Sequence, residues 1–344
     1  MSKCCINCFN DSALREKIQR MGKISRCSFC SSKDVLCVEP SILSDVSDGI
    51  EFCIDEDIHG KALHEILCHD LNILSSTVSK PAELVKELAL GVDDSKRWKV
   101  KYSPQKNSLL WLEFKKELIH KNRFFPTGNI YGKMFSSFQN ETNSIEKNTF
   151  IQLIDELCEI REQTDYFYRA RISDSALLKE HMGSPPPEKA SAGRANPAGI
   201  VYLYVAENED TCIREVRPSI GSTVYISTCV AKRSLKLINL TNPKKRISLL
   251  KYAGDEMELI INHLALIELF SKELAQPVIP ERATLDYIPT QFLCEFIKSI
   301  SDYDGITFTS SFGTGENIVL FYPDTVEINN PITKNVTSVS VCAE

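Results

Sequence analysis

Gly193-Arg194-Ala195-Asn196-Pro197-Ala198-Gly199 runs into the apolar stretch Ile200–Val205, and Asn208–Pro218 follows. Glycine and proline punctuate the first seven residues as a loop. Ile200–Val205 alternates as a buried strand, with Tyr202 and Tyr204 on one face. Asn208-Glu209-Asp210 then has the form of a helix start, with a capping side chain and acids in the first turn. That helix carries Glu215. Glycines beside Arg194 and Asn196 let the backbone approach a ligand, and the fixed charge of Arg194 suits phosphate or pyrophosphate. A structural turn with a surface arginine is the alternative, just as Tyr204 can be core and Glu215 a solvated carboxylate.

Upstream, Phe167-Tyr168-Arg169-Ala170-Arg171-Ile172 has strand periodicity. An arginine among aromatic residues in a sheet is costly to bury unless it meets an anion, and both Arg169 and Arg171 qualify. Between this strand and the loop, residues 181–193 hold three consecutive prolines and small residues, which exclude helix. Downstream lie a strand at Thr223–Ala231, another at Leu235–Leu240, and helices at Glu256–Leu274 and Pro289–Ser301. Ile306–Phe308 ends at Ser310-Ser311, and Gly313-Thr314-Gly315 forms a hairpin turn into the strand Asn317–Tyr322.

The segments FYRARI, GRANPAGIVYLYVAENEDTCIREVRP, TQFLCEFI, DGITFTSS and GENIVLF, in this order along the chain, resemble the RES domain. That is a bacterial family of toxins and effectors that degrade NAD and fold like ADP-ribosyltransferases. The resemblance covers about the second half of the chain and departs at Ala195, where the family has a bulky aromatic. It implies that Glu215, Arg169, Tyr204 and Ser310 act in catalysis. It also implies that Arg194, Asn196, Arg171 and Asn317 contact substrate, with Ser311 the neighbouring choice to Ser310 and Gln291 at the pocket's edge. NAD is then the substrate, and water or inorganic phosphate the acceptor. No histidine falls in these segments to activate a serine, so a Ser-His-Asp hydrolase fits poorly.

The amino-terminal part has a different character. Cys5-x2-Cys8 and Cys27-x2-Cys30 stand eighteen residues apart, the spacing of a four-cysteine zinc site made of two knuckles. Cys4 can replace Cys5 at a looser spacing. Asp11–Met21 between the knuckles reads as a helix stopped by Gly22. Residues 1–36 carry seven Lys/Arg against three Asp/Glu, whereas 37–60 carry seven acids and no Lys or Arg. This block resembles the zinc-containing domain that precedes RES and HEPN effector domains, which implies a sensing or regulatory role with structural Zn2+. Contact with nucleic acid is the alternative role for a basic zinc module.

Residues 38–160 read as mainly helical, at Ile58–Leu74, Pro81–Leu90, Leu109–Lys121 and Ile145–Glu162. His64 and His69 mimic a zinc-protease motif. On a regular helix, however, a five-residue step turns the second by about 140° from the first.

The chain of 344 residues is 43% hydrophobic and 25% charged, which is globular composition with room for two cores. Its net charge of −6 argues against broad nucleic-acid binding. The opening sequence is no signal peptide, and no apolar run approaches a membrane span. A cytoplasmic protein is therefore expected, with its thirteen cysteines free or metal-bound and not paired.

The expected architecture is α+β. Residues 161–344 form an ADP-ribosyltransferase-like catalytic domain, and residues 1–160 a zinc-knuckle, mainly helical regulatory domain. The expected activity is NAD glycohydrolase or phosphorylase in a toxin or defence effector, controlled by an antitoxin, an activating ligand or homo-oligomerisation. ADP-ribosyl transfer to a macromolecule and a non-enzymatic nucleic-acid sensor are the competing readings.

Overall fold

A computed structural model of the chain describes residues 2–88, 95–101, 104–128, 130–135, 144–252 and 256–339. The architecture is α+β. Two compact units divide the chain. The first is Met1–Leu110, Ile145–Glu156 and Asn242–Leu266, and the second is Trp111–Ser144, Leu157–Thr241 and Ile267–Glu344.

In the first unit, β1 (Cys4–Cys5), β2 (Lys23–Ser25) and β3 (Val35–Val38) form a small sheet in the order β1-β3-β2. The helix Ser12–Met21 stands between β1 and β2 in sequence, as its periodicity predicts. Its N-cap is Asp11, whose carboxylate accepts from Leu14 N at 3.1 Å. Leu14 and Ile18, one turn apart, bury its inner face. Burial pushes the Asp11 carboxyl up, and Ser248 offsets this by donating to both of its oxygens at 2.9 and 2.8 Å.

The expected helix over Ile58–Leu74 is only partly present. Residues 54–61 form β4 (Ile54–Lys61), paired antiparallel with β5 (Trp98–Val100), and helical turns begin at Leu63. Cross-strand pairing with a distant segment replaces the local helix. The acids of β4 meet a basic partner segment in the pairs Lys96–Glu56 at 2.7 Å, Lys99–Asp57 at 3.1 Å and Lys101–Asp55 at 3.8 Å. Ile58, which a helix would have buried, is 83% exposed. The helix expected over Ile145–Glu162 likewise ends at Glu156. The end expected near Leu90 and Gly91 lies outside the described residues.

The second unit is built on a nine-stranded sheet. Its strands are β6 (Cys158–Arg161), β7 (Tyr166–Ile172), β8 (Leu203–Ala206), β9 (Thr223–Ala231), β10 (Leu235–Asn239), β11 (Gly305–Thr309), β12 (Glu316–Leu320), β13 (Val326–Ile328) and β14 (Ile332–Asn335). The order is β13-β9-β7-β8-β12-β11-β10-β6, with β14 also on β9. Among the described residues of this sheet only β10 and β11 run parallel. β8 thus begins three residues later than the expected strand Ile200–Val205.

One face of this sheet buries Phe167, Leu203, Val205, Leu237 and Ile318. The other buries Ala170, Ala206, Val224 and Ile226 against Cys212 and Ile213 of the helix Glu209–Glu215. Asn208 caps that helix by accepting from Thr211 N at 2.8 Å, as its sequence predicts. Packing through Cys212 and Ile213 brings the helix's last residue, Glu215, beside Asn317 near the start of the interior strand β12. Among the described residues no helix is long and apolar enough to cross a membrane.

Candidate active site

β7 and β8 share a single ladder pair, Tyr168 with Ala206, whereas β7 pairs with β9 along its whole length. Continued pairing would set Ala170 opposite Tyr204. Instead the Arg169 guanidinium donates to the Tyr204 carbonyl at 2.7 Å, to Met182 O at 2.7 Å and to Gly183 O at 3.5 Å. The side chain therefore satisfies a carbonyl that the opened ladder leaves unpaired. Arg171 donates to the same Gly183 carbonyl at 2.7 Å, and its buried Nε has no partner. Among the described residues no carboxylate pairs with either arginine. Burial, together with the neighbouring charge of Arg171, pushes Arg169 down to about 10, so it remains a cation at neutral pH. The two are a fixed positive centre with no anion of their own.

Where the strands part there is a cavity of about 290 Å³, near the lower limit for small-molecule sites. Arg169, Arg194, Tyr204, Glu215 and Asn317 line it. Glu215 is the convergence point. Ser310 Oγ and Asn317 Nδ2 both donate to its Oε1 at 2.6 Å, and neither bonds Oε2. Ser310 Oγ in turn accepts from Phe312 N at 3.1 Å, which fixes the hydroxyl's direction. The neighbouring Ser311 goes elsewhere: its hydroxyl accepts from Arg194 at 3.3 Å and donates to the Ala275 carbonyl. Arg194 also donates to Leu274 O at 2.5 Å.

Asn196 serves the loop. Its amide donates to the carbonyls of Ser191, Pro197 and Ile200, and its Oδ1 accepts from the Tyr204 hydroxyl at 2.7 Å. Tyr204 Oη accepts from Ala195 N at 3.0 Å, and burial raises this phenol so that it stays neutral. Gly193 is required by this closeness, because a Cβ there would lie 2.5 Å from Tyr204 Oη. Gln291 completes the clamp by donating to Gly193 O and Asn196 O at 2.8 and 3.0 Å, while Thr290 donates to Arg194 O at 2.6 Å.

All eight residues singled out for catalysis or substrate binding thus fall in one connected region. Five line the cavity, Ser310 touches Glu215, Asn196 touches Tyr204, and Arg171 shares a carbonyl with Arg169. Sequence reading missed the walls supplied by Tyr168, Val216, Tyr287 and Phe308. It placed Gln291 at the pocket's edge without its bonds to the loop backbone. A polar side chain at a buried position of an apolar helix was the available signal for that role.

In the first unit the sulfurs of Cys5, Cys8, Cys27 and Cys30 lie within 4.8 Å of one another. Cys5–Cys8 is 3.8 Å, and Cys5–Cys30 and Cys8–Cys27 are each 3.4 Å. Ligand distances of about 2.3 Å at a tetrahedral zinc imply sulfur separations of about 3.8 Å, so this donor set fits such an ion. Phe29 N donates to Cys27 Sγ at 3.4 Å, which fixes the second knuckle. Cys4 is outside the cluster, its sulfur bonded to Val38 O. The hydrogen bond from Cys8 holds the Cys5 thiol down at about 5 against burial, while that same bond and burial push Cys8 up. A cation would relieve this competition for protons.

A split sheet opens a cavity in which a carboxylate held by two hydrogen-bond donors stands with Arg169 and Arg194. Residues 166–339, half of the chain, match the family model of the RES domain, and the chain belongs to that family. Among solved structures, the crystal structure of the M. tuberculosis MbcT–MbcA toxin–antitoxin complex is similar over 55% of this chain and 94% of that one. The identity there is 15% and the TM-score 0.29. No curated protein sequence matches the chain.

Proposed function

We propose that the chain degrades NAD by breaking the bond between nicotinamide and ribose. Membership in the RES family supports this, and the observation that carries it is Glu215, held from one side by Ser310 and Asn317 in a cavity beside Arg169 and Arg194. The C1′–N bond breaks with its electron pair going to the pyridinium nitrogen, so nicotinamide leaves neutral. Positive charge then builds on the ribose. A fixed carboxylate stabilises it, and Ser310 and Asn317 keep that carboxylate from turning away. Arg194 and Arg169 face the pyrophosphate, and Tyr204 and Asn196 hold the loop against the ribose end. Water attacks C1′ and releases a proton to give ADP-ribose, whereas inorganic phosphate gives its phosphorylated form.

Zinc is the ion we assign to the four cysteines. Residues 1–160 act as the controlling part and residues 161–344 as the catalytic part of a cytoplasmic toxin or defence effector, which an antitoxin, an activating ligand or self-association restrains.

Incubating the purified chain with NAD, with and without inorganic phosphate, and weighing the products tests the reaction. Free nicotinamide with ADP-ribose or its phosphorylated form is the expected result. ADP-ribose attached to protein or nucleic acid would replace hydrolysis by transfer, and NAD that survives prolonged incubation with abundant full chain would sink the proposal.

Gln291 gives a subtler test. Gln291→Ala removes two hydrogen bonds from the 193–196 backbone without touching the cavity. The expected outcome is a KM for NAD raised about tenfold with kcat changed by less than about threefold, as initial rates over a range of NAD would read.

A further inference from the structure

Arg217, two residues beyond Glu215, has a backbone φ of +49°, in the left-handed region. It follows Val216, the cap of the Glu209–Glu215 helix, and its N–H donates to Arg214 O at 3.0 Å. Glycine is the usual occupant of that position, because a Cβ is strained there. Pro218, next in the chain, adds to the cost by favouring extended backbone in the residue before it. What the arginine side chain gains in return is an aromatic ring: its Cζ lies 4.4 Å from the centroid of Phe312. Among the described residues no carboxylate pairs with it.

We infer that Arg217 is a positioning residue: stacked on Phe312, it locks the turn 310–315 to the end of the Glu215 helix and so keeps the Ser310 hydroxyl on the Glu215 carboxylate. The inference rests on the assignment of Glu215 to NAD cleavage. It adds a residue that does not itself line the cavity.

Turn and helix meet at both ends of the helix. At its start a Cβ on Gly315 would collide with Thr211 Oγ1 and lie 2.5 Å from Asn208 Nδ2, so the turn's return strand is pressed directly on the first helical turn. Glu207 N also donates to Glu316 O at 3.0 Å. At the helix's end the joining contacts are Ser310 Oγ with Glu215 and the Phe312 ring with Arg217. The two are coupled through the turn's backbone. Phe312 N donates to Ser310 Oγ at 3.1 Å, and Ser310 N donates to Gly315 O at 3.0 Å, so a shift of the ring carries the hydroxyl with it. A cation over an aromatic face contributes modestly where water reaches it, and Arg217 is exposed. The expected effect on the reaction is accordingly severalfold.

Initial rates over a range of NAD, amide exchange by NMR and thermal melting of the full chain test this. Arg217→Gly suits the left-handed backbone, so its thermal midpoint should not fall. Its kcat is expected to drop about fivefold with KM held within about twofold. Phe312→Leu should do the same, the double variant should be no slower than either single one, and Phe312→Tyr, which keeps the ring, should recover the rate. Exchange at the Ser310 and Phe312 amides should quicken about fivefold in Arg217→Gly, a readout that needs no NAD. Where the unaltered chain cleaves NAD, an unchanged kcat in Arg217→Gly overturns the inference. So do losses that add in the double variant, or a KM raised about fivefold at full kcat, which would make Arg217 a substrate contact. Where the unaltered chain leaves NAD intact, the cleavage reading falls by itself, and unchanged exchange at Ser310 and Phe312 overturns the lock.

Discussion

Glu215→Gln is expected to slow NAD cleavage by about a thousandfold while leaving the thermal midpoint of the fold unchanged. The hydrogen bonds predict this separation. Ser310 and Asn317 both donate to a single oxygen of Glu215, and the carbonyl oxygen of a glutamine can accept both. The substitution therefore removes the negative charge and little else. Losing one preorganised electrostatic contact in an enzyme site costs about 3–4 kcal/mol of barrier, which is the origin of the thousandfold figure. Quenched single-turnover reactions at saturating NAD read the chemical step, and circular dichroism on heating reads the fold. A variant that keeps its rate would remove Glu215 from the reaction. A variant that loses both rate and fold would show the carboxylate to be structural, which Asn317→Asp, altering the same contact from the other side, would check.

The parts of the site that were legible in the sequence are those encoded by local spacing. Asn208 followed by two acids announces a helix, and seven residues on that helix place Glu215 at its end. Two CxxC turns carry their own geometry, so the four sulfurs could be read as one cluster. What was not legible depends on partners far away in the chain. Asn196 looks like a ligand contact in a glycine-rich loop, yet its amide is used on three carbonyls and its acceptor on Tyr204. Nothing local says that Gln291, about a hundred residues later, finishes that loop. β4 failed for the same reason. Its residues fit a helical spacing, but its pairing with Trp98–Val100, about forty residues later, takes it into a strand. Arg169 shows the limit most sharply, because its role at the split between β7 and β8 requires knowing that the ladder stops after one pair.

Replacing Cys8 by serine is expected to release one zinc ion per chain and to unfold the segment around residues 3–38. Cys8 sits 3.8 Å from Cys5 in its own knuckle and 3.4 Å from Cys27 in the other, so its loss removes a sulfur that faces both. The small sheet beside the cluster is short, its strands β1, β2 and β3 having two, three and four residues. Binding of a structural zinc contributes on the order of 10 kcal/mol, comparable with the whole net stability of a domain. A colorimetric chelator assay counts the metal, and amide hydrogen exchange locates the loosening. Loss of protection should begin at Cys5, Cys8, Cys27 and Cys30 and continue into the helix Ser12–Met21. From there it should reach residues near Ser248, whose hydroxyl bonds the Asp11 cap, and Arg246, whose carbonyl accepts from Ser12 at 3.0 Å. Acidification should release the ion from the unaltered protein too, because thiolates must take up protons to let it go. A chain that holds no metal and shows the same exchange pattern with serine at position 8 would make the cluster four buried thiols and place the stability of the small sheet in its hydrophobic contacts alone.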